Sequence, residues 1–593
     1  MAASMTTVRP SAAAPQIERE WVIAPPHPDR KSLASAAQID ELLAQLLLNR
    51  GIRSADAYRK FVACDFRELH PPEVLPGAEA AGKFLAAAAR AGRKIVLYGD
   101  YDVDGITGTT ILWHVLRLAG VVPQVVLPSR FEHGYGLHSS ALESIAAGGG
   151  EIVVTIDCGI TAVEPARRAR ELGLKLIITD HHQPGAELPD AHLIVHPTAC
   201  PPAGPNPDLS GAGVALKVAW SLSRELSGGG KVGPEWRETL MDCTAFAALG
   251  LMADSVPMTG ENRIITSYGL KHLNKSANNG IRALLDVAGL GRKAAYDDFD
   301  VGFALAPRLN AIGRLDHARE AVTLFTTATS DEAHAIAERL NQLNLERQQI
   351  ERDTTAIALE MATARGFDKD NCRGIVLAGE NWHPGVIGIV AARLVERFQR
   401  PTMLFSLKDG LGQGSGRSVR HFPLHEVLND CAAHLVSFGG HAMAAGAKIS
   451  AVQLDAFTEA FLDQAARRLT AADIVPKLHL DDEVHLHQVT PDNAATLARL
   501  APHGVGNARP RLATTPVELA EAPRAVGSRG NHLQFRVRQG DVYRRAIAFG
   551  RGEFAQQLAE YRQLRLAFEP LMDSWQGRST LSLKVIDWKS AEL

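Results

Sequence analysis

The chain has 593 residues, of which 46% are hydrophobic and 22% charged, and a formal net charge of −3. That length suits about three or four domains, and the composition excludes a disordered or fibrous chain. Six cysteines without a CxxC pair exclude a disulfide framework and a cysteine-rich zinc site. No apolar run reaches the roughly 18–20 residues of a membrane span, and the Ala-, Pro- and Ser-rich residues 1–30 lack the apolar core of a secretion signal. We therefore expect a cytoplasmic protein with a poorly ordered N-terminal tail.

Residues 90–200 alternate short apolar runs with helical patterns. The runs KIVLY, VVPQVVL, EIVVTI and LKLIIT are almost continuously apolar, as strands buried on both faces are. Strands that alternate with helices predict a parallel sheet covered by helices. The fold class is therefore α/β, and we assign residues 31–328 to this parallel-sheet domain with an N-terminal extension.

A long helix and two further domains are predicted after this one. No Gly or Pro interrupts Asp331–Arg365, and Thr329 and Glu332 form a capping-box pattern, so one helix over 329–365 would connect two lobes. A smaller α/β domain over 366–470 contains the string GLGQGSGRS, interpreted as a flexible glycine-rich turn. In residues 471–593, the alternation in LQFRVRQ and LSLKVIDW predicts a small antiparallel β-domain.

Three carboxylates follow the first strand of the predicted sheet, in the string GDYDVDG. Asp100, Asp102 and Asp104 lie within five residues and repel one another unless a cation neutralises them. The string opens like a calcium-binding EF-hand loop, but its twelfth position is Ile111 instead of Glu. A calcium loop is therefore not expected. A solvated acidic turn remains the alternative for this motif alone.

Two further strands also end in acidic residues or histidines. Asp157 ends EIVVTI, whereas Asp180, His181 and His182 follow LKLIIT, and Asp254 stands near another element end. A single Asp at such a position is often only a helix cap. Ligands of open α/β sheets, however, gather at the carboxyl ends of the strands. The sequence therefore predicts that these side chains converge.

Many carboxylates with one or two imidazoles suit a pair of Mg²⁺ or Mn²⁺ ions, and histidine favours Mn²⁺. Two such ions clamp the attacking and leaving oxygens of a phosphoryl displacement. The HExxH string of zinc peptidases is absent. This set of carboxylates and imidazoles predicts metal-assisted hydrolysis of a phosphate ester.

The strings GDYDVDG, TIDCG, TDHH and MADSVP match, in order, the motifs of the DHH phosphoesterase superfamily. Within it the chain resembles the branch that degrades single-stranded DNA from the 5′ end, through SRFEHGYGL, LSGAGVALK, PRLNAIGRLDHA, WHPGVIGIVA, GSGRS and FGGHAMAAG. The resemblance runs from about residue 90 to the C-terminus. It implies a DHH domain, a DHH-associated substrate-binding domain over 366–470 and an OB-like barrel over 471–593. It also implies a 5′→3′ exonuclease of DNA repair and recombination, served by a helicase and a single-strand-binding protein.

The resemblance implies two metal sites that share Asp157 as a bridge. Residues at one site would be Asp102 and Asp157, with Asp100 nearby, and those at the other Asp104, Asp157, His181 and Asp254. His182 would face the scissile phosphate, and Asp180 would orient a histidine. Tyr98 replaces a ligating histidine of the short phosphatases, which leaves the first ion with fewer ligands.

Substrate contacts are implied in all three domains. The string GLGQGSGRS does not match the G-x-G-x-x-G pattern of a dinucleotide site, because Arg417 stands at the position of the last glycine. Residues 501–550 contain eight arginines, no lysine and three acidic residues, so 8 − 3 = +5, a charge that suits a phosphate backbone. The expected substrate-binding residues are Arg130 (for a 5′-phosphate), Arg308, Asn310, Arg314, Ser415, Arg417, Ser418, Gly440, His441, Arg536 and Arg538.

Two other functions stay open. A phosphodiesterase of short oligoribonucleotides or cyclic dinucleotides would share the acidic and histidine motifs, but a small substrate gains nothing from a basic C-terminal domain. A non-catalytic replication scaffold would be expected to lose metal ligands, whereas every ligand-type position is filled here.

Overall fold

The structure is a computed structural model that describes residues 19–128, 136–315, 318–369, 371–575 and 578–591. These residues form two compact units. Unit 1 comprises the described residues up to Val62, Thr355–Leu500, and those from Arg509 onward. Unit 2 comprises Ala63–Thr354 and the short segment Ala501–Ala508.

The first described segment belongs to unit 1 and contains β1 (Glu20–Ile23), α1 (Arg30–Ala37), α2 (Glu41–Asn49) and α3 (Ala55–Ala63). Strand β1 pairs in parallel with residues 477–480, and the buried leucines of α2 share one apolar core with Leu512 and Phe568. The sequence prediction had assigned residues 31–62 to the catalytic domain. They group instead with the C-terminal β-domain, because α2 buries its apolar residues there.

The centre of unit 2 is a sheet of five parallel strands. The strands are β2 (Ile95–Gly99), β3 (Gln124–Val126), β4 (Ile152–Ile156), β5 (Lys175–Thr179) and β6 (Leu193–Val195). Their order in the sheet is β3-β2-β4-β5-β6. This confirms the predicted parallel sheet, although the short last strand was not predicted.

Helices cover both faces of this sheet. They are α4 (Ala78–Arg90), α5 (Val103–Leu118), α6 (Ser139–Ala147), α7 (Val163–Glu171), α8 (Gly211–Leu226), α9 (Pro234–Ala253), α10 (Gly260–Leu273), α11 (Asn279–Val287), α12 (Ala306–Leu315) and α13 (Arg319–Thr326). Alternate strand residues face opposite sides: Leu97 and Val154 join a core with α5, α8 and α9, whereas Val96 and Val153 join one with α6 and α7. A π-helical segment, Asp300–Leu305, precedes α12.

The long helix α14 (Ser330–Ala364) confirms the predicted connecting helix. Its start is a capping box: Thr329 N donates to Glu332 Oε2 at 2.9 Å, and Glu332 N donates to Thr329 Oγ1 at 3.4 Å. The chain passes from unit 2 to unit 1 within this helix. Across the described ranges, no helix combines the length and apolarity that a membrane crossing needs.

A five-stranded mixed sheet with its helices follows in unit 1. The elements are β7 (Ile375–Gly379), α15 (Ile387–Phe398), β8 (Thr402–Lys408), β9 (Leu411–Arg417), α16 (Leu424–Asp430), β10 (Ser437–Gly440), β11 (Ala444–Ser450) and α17 (Leu454–Arg468), with the strand order β10-β11-β9-β8-β7. The string GLGQGSGRS was expected to be a turn, but it forms the central strand β9. Its glycines are needed because a Cβ at Gly414 would lie 2.4 Å from the Phe405 ring and one at Gly416 2.2 Å from the Met403 sulfur.

The C-terminal part of unit 1 is a β-domain. Its elements are β12 (Lys477–Leu480), β13 (Asp482–Val484), α18 (Pro491–Ala498), β14 (Leu512–Thr514), β15 (Val517–Val526), β16 (His532–Gln539), β17 (Val542–Ala548), α19 (Ala555–Ala559), β18 (Gln563–Trp575) and β19 (Arg578–Ser590). The strands β15-β16-β17-β19-β18 close into a barrel, because β18 pairs with both β15 and β19. Five strands closed in this way are the predicted OB-like architecture. On β16, Leu533, Phe535 and Val537 face the core, as predicted.

The packing of β9 predicts different costs for two glycine substitutions. Gly414→Ala places a methyl group against Phe405, and such overpacking costs about 1–3 kcal/mol. Gly446→Ala, on the neighbouring strand β11, meets its nearest atom only at 3.7 Å. We expect a lower thermal unfolding midpoint for Gly414→Ala and little change for Gly446→Ala in scanning calorimetry of the full chain. Equal midpoints would contradict this account of β9.

Candidate metal centre

Three aspartates lie at the same edge of the parallel sheet, directly after β2, β4 and β5. The backbone ladder continues through each of them: the N–H groups of Asp100, Asp157 and Asp180 donate to Ile156 O (3.1 Å), Thr179 O (2.9 Å) and Val195 O (3.2 Å). The backbone therefore aligns the three aspartates before any side-chain contact forms. The convergence of strand ends predicted from the sequence is present.

The turn between β2 and α5 supplies two more carboxylates. Asp102 caps α5, with its Oδ1 accepting from the N–H groups of Asp104 (3.0 Å) and Gly105 (3.1 Å). A Cβ at Gly105 would lie 2.5 Å from the carbonyl oxygen of Asp100. The tight turn that holds three carboxylates together thus depends on this glycine.

The N-terminus of α8 holds the buried carboxylate of Asp104. This carboxylate accepts from Ser210 Oγ at 2.9 Å, Gly211 N at 2.6 Å and Ala212 N at 3.0 Å. Helix N-termini stabilise negative charge. The string LSGAG was noticed in the sequence, but no role was assigned to Ser210, Gly211 or Ala212, because no local pattern tells which carboxylate a helix start will meet.

His181 lies among three of these carboxylates. Its Nε2 is 3.1 Å from Asp157 Oδ1, 3.6 Å from Asp254 Oδ2 and 3.8 Å from Asp104 Oδ2. Asp254 reaches this position as the residue that ends α9. Carboxylate oxygens of the three other ligands predicted for the second ion therefore lie around this imidazole nitrogen.

The carboxylate of Asp180 contacts the imidazole of His182. Its Oδ1 is 2.8 Å from His182 Nδ1 and accepts from the His181 and His182 N–H groups, while its Oδ2 accepts from Ile160 N at 2.9 Å. His196, which sequence reasoning missed, has its Nε2 2.8 Å from the His182 carbonyl oxygen. Asp180 thus fixes the His182 ring, which is the arrangement expected of it.

The potential ligand atoms form three overlapping groups, within each of which the atoms lie no more than 4.8 Å apart. Asp157 belongs to two groups, and its backbone adopts the left-handed φ of 65°, a strained conformation for a non-glycine residue that is typical of functional sites. The groups are Asp100, Asp102 and Asp157; Asp104, His181 and Asp254; and Asp157, His181 and His182.

The electrostatics of the cluster fit a divalent cation. Burial and neighbouring carboxylates raise the pKa values of Asp100, Asp104 and Asp157 well above their usual range, and that of Asp254 to about 7. Burial lowers the pKa of His181 to about 4, so its ring is neutral, the form that ligates metals. Asp100 Oδ1 and His181 Nε2 are buried without a hydrogen bond to any described residue. Hard oxygen donors with one imidazole suit Mn²⁺ or Mg²⁺.

Tyr98 cannot replace the histidine ligand of short phosphatases. Its ring is fully buried, and its hydroxyl donates to Gly136 O at 3.0 Å. The group formed by Asp100, Asp102 and Asp157 therefore consists of carboxylates alone.

The substrate residues predicted in unit 2 are partly engaged within the fold. Asn310 Oδ1 accepts from Val103 N at 3.3 Å, which ties α12 to the acidic turn. Arg308 donates to Asn341 Oδ1 at 3.1 Å and to Ala304 O at 2.7 Å. Arg130 and the side chain of Arg314 lie outside the residues that the structure describes.

The predicted residues of the smaller α/β domain lie on β9 and around the β10–β11 hairpin. Ser415 and Arg417 lie beside the start of α15, since a Cβ at Gly388 would be 2.7 Å from Ser415 Oγ and 3.2 Å from an Arg417 nitrogen. Ser418 is buried and donates to the Phe422 carbonyl, so its hydroxyl holds the chain after β9. Gly440, with a φ of 140°, and the exposed His441 form the hairpin end.

Arg536 and Arg538 face solvent on β16, as predicted, but both have acidic neighbours on β15. Arg536 lies 3.3 Å from Glu521, and Arg538 lies 2.6 Å from Glu518. These exposed pairs offset part of the predicted positive charge. Arg536 also lies 5.0 Å from the Tyr543 ring centroid, beside a cleft of about 640 Å³ that Arg524, Arg544 and Arg545 also line.

Comparison with known proteins supports the same three domains. Family models match residues 94–248 (DHH family, N-terminal domain), 371–467 (DHHA1 domain) and 480–587 (RecJ OB domain). The chain is 35% identical to the single-stranded-DNA-specific exonuclease RecJ of Bacillus subtilis over 96% of this chain and 70% of that protein. It is 33% identical to RecJ of Escherichia coli over 79% of this chain and 82% of that protein.

Among solved structures, RecJ of Thermus thermophilus in complex with Mn²⁺ matches with a TM-score of 0.81 and 30% identity. That match covers 97% of this chain and 80% of the other. A second structure of RecJ from this organism, in complex with Mg²⁺, matches with a TM-score of 0.74 and 28% identity over 97% and 79%. Sequence identity, domain content and fold agree over nearly the whole chain, and the protein belongs to the RecJ family of DHH phosphoesterases.

Proposed function

We propose that this protein is a metal-dependent exonuclease that hydrolyses single-stranded DNA from its 5′ end, with two Mn²⁺ or Mg²⁺ ions bound at the sheet edge. The convergence of six aspartates and two histidines on this edge carries the proposal. RecJ relatives that span most of the chain are named single-stranded-DNA-specific exonucleases, and the Thermus relative has been solved with Mn²⁺ and with Mg²⁺.

Asp157 would be the bridging ligand, since it belongs to two of the three ligand groups. Asp100 and Asp102 would complete one site, and Asp104, His181 and Asp254 the other. Bound divalent cations supply activation of water and neutralisation of phosphate charge in such sites. Asp180 would keep His182 oriented toward the scissile phosphate.

The hydrogen bond to Asp180 favours the protonated form of His182. Burial disfavours its protonation, but the hydrogen bond to Asp180 outweighs that effect and raises the pKa of His182 to about 9. A protonated imidazole donates a charge-assisted hydrogen bond to a phosphate oxygen. His182 would thus stabilise the negative charge that builds up during hydrolysis.

The substrate residues outside the metal cluster extend this proposal. Arg130 would contact a 5′-phosphate, and Ser415, Arg417 and His441 would contact the backbone of the strand. The arginine-lined cleft beside Arg536 and Tyr543 would hold further nucleotides through phosphate contacts and base stacking. Partnership with a helicase and a single-strand-binding protein in DNA repair and recombination stays a prediction.

Two observations favour this function over the alternatives. Every ligand-type position of the metal cluster is filled and buried or half-buried, which a non-catalytic scaffold would not need. The closed barrel with its arginine-lined cleft suits a long polymer better than a dinucleotide.

Replacing the shared ligand tests the metal cluster. Asp157→Ala removes a carboxylate from two ligand groups, so we expect at least about a thousandfold loss of nuclease rate, equivalent to several kcal/mol of transition-state stabilisation. Binding of single-stranded DNA, measured by fluorescence anisotropy, should change little. Asp190→Ala, an exposed aspartate paired with Arg170, is the control. An unaltered rate in Asp157→Ala would refute the bridging role.

Asp180→Asn tests the orientation of His182. The amide is nearly isosteric, but it has one acceptor oxygen where the carboxylate has two, so either the Ile160 N–H loses its partner or the His182 ring loses its anchor. We expect a loss of rate of about 10–100-fold with unchanged DNA affinity. Mn²⁺ affinity, measured by calorimetry, separates a loss of metal from a misplaced imidazole. Wild-type rates would show that Asp180 has no positioning role.

Polarity and strand selectivity need end-labelled substrates. With Mn²⁺ present, 5′-labelled single strands should release labelled mononucleotide at once, whereas 3′-labelled strands should shorten progressively. Duplex of the same sequence should resist digestion, and EDTA should abolish all cleavage. Early release of the 3′ label, or equal cleavage of duplex, would contradict the proposed polarity or strand selectivity.

A further inference from the structure

The first turn of helix α10 carries three consecutive polar residues whose side chains are all buried. Glu261, Asn262 and Arg263 are 5%, 1% and 2% exposed. Consecutive residues of a helix point about 100° apart, so this turn is enclosed on several sides. A buried polar group is costly unless it is hydrogen-bonded. The partners of these three side chains therefore show what the turn holds together.

Glu261 and Arg263 fix the place of this turn within unit 2. The Glu261 carboxylate pairs with Lys217 of α8 and accepts from His70 N at 2.9 Å. Arg263 donates to two carbonyl oxygens of the segment Ala501–Ala508, at 2.7 and 3.0 Å. The residue between these two anchors is thus held from both sides.

The side-chain amide of Asn262 bridges two segments of the chain. Its Nδ2 donates to Asp208 O at 2.7 Å and to Pro257 O at 3.1 Å. Its Oδ1 accepts from Asn206 Nδ2 at 2.9 Å. Both donor positions of one amide are therefore used to connect two backbone carbonyl groups.

Both carbonyl groups belong to segments that lead to the metal cluster. Asp208 lies two residues before Ser210, whose hydroxyl donates to the Asp104 carboxylate. Pro257 lies three residues after Asp254, the residue that ends α9. The amide thus ties the segment that holds Asp104 to the loop that carries Asp254.

The Asp254 carboxylate depends on this connection more than the Asp104 carboxylate does. Asp104 accepts three hydrogen bonds, whereas Asp254 accepts none from any residue that the structure describes. Its loop also turns through Ser255, which has a φ of 59°, a strained conformation for a residue other than glycine. The backbone that Asn262 holds at Pro257 therefore sets the position of this carboxylate.

We propose that Asn262 is a positioning residue of the metal centre, whose amide fixes the separation of the Asp104 and Asp254 carboxylates. This inference deepens the proposed metal-dependent nuclease and rests on it. Groups that orient ligands from outside the metal site contribute about 10–100-fold to metal affinity or activity. Without the amide, the Asp254 loop can move away from Asp104, although every ligand is still present in the chain.

The test measures Mn²⁺ binding to the metal-free full chain, with free Mn²⁺ followed by electron paramagnetic resonance. We expect about two ions per wild-type chain. In Asn262→Ala, one of them should bind about 10–100-fold more weakly, and excess Mn²⁺ should restore most of the nuclease rate. Asn262→Ser keeps one donor, so its loss of affinity should be smaller; this variant decides the test where Asn262→Ala does not fold.

Asn278→Ala is the control for a general loss of stability. Asn278 is also a two-contact asparagine of unit 2: it donates to Phe325 O at 2.8 Å and accepts from Ile281 N at 3.1 Å at the start of α11. This variant should lower the thermal midpoint in circular dichroism melting, as the Asn262 variants do, but it should keep the wild-type Mn²⁺ affinity.

Three results would overturn the positioning role. Folded Asn262 variants could bind both ions as tightly as the wild type, or Asn278→Ala could weaken Mn²⁺ binding as much as they do. In either case the metal centre itself stands, because the wild type still binds Mn²⁺. The third result, a wild-type chain that binds no Mn²⁺, would defeat the proposed function together with this inference.

Discussion

The mutual repulsion of six aspartates at one sheet edge is the constraint on which the rest of the site depends. Buried carboxylates this close to one another cannot all remain charged without a compensating cation. The fold forces them together through backbone geometry, because the parallel ladder continues through Asp100, Asp157 and Asp180. The packing of the sheet against its two apolar cores offsets the free-energy cost of bringing these carboxylates together. The protein is therefore built to gain stability when a divalent cation binds.

Small residues allow these carboxylates to lie close to the helices around them. Gly211 and Gly250 lie against the carboxylates of Asp157 and Asp104, where a Cβ would come within 2.6 and 2.4 Å of a carboxylate oxygen. Their absence of a side chain lets α8 and α9 approach the sheet edge closely enough for backbone N–H groups to reach Asp104. Glycine is needed at these two positions for close packing and not for backbone freedom, because neither Gly211 nor Gly250 has a positive φ.

Sequence patterns predicted the parallel sheet, the long helix and the convergence of acidic and histidine side chains at the sheet edge, because each leaves a local signature. Apolar runs mark buried strands, and a polar residue directly after each run marks the functional edge of the sheet. The contribution of α8 was not predicted, since its contact with Asp104 joins residues more than a hundred positions apart. The same reason explains why α2 was assigned to the wrong part of the chain. Its leucines show that it is buried, but they do not identify the core it joins.

The interpretation of GLGQGSGRS shows a limit of a different kind. Glycine is favoured in turns for its backbone freedom, but it is also required in a strand when a large neighbour fills the space above it. Phe405 and Met403 take that space over β9. The glycines and the large residues are both visible in the sequence, but only the register of β8 against β9 shows that Phe405 and Met403 pack against these glycines.

The adjacent histidines His181 and His182 show how two imidazoles at one strand end can have opposite pKa shifts. Burial lowers the pKa of His181 to about 4, whereas Asp180 counters burial at His182 and raises its pKa to about 9. The two rings differ because the His182 Nδ1 lies 2.8 Å from a carboxylate whose other oxygen is held by a backbone N–H. A neutral imidazole can ligate and a protonated one can donate. One aspartate after a β-strand is enough to give the two rings different pKa values, because it lies on the chain directly before both of them.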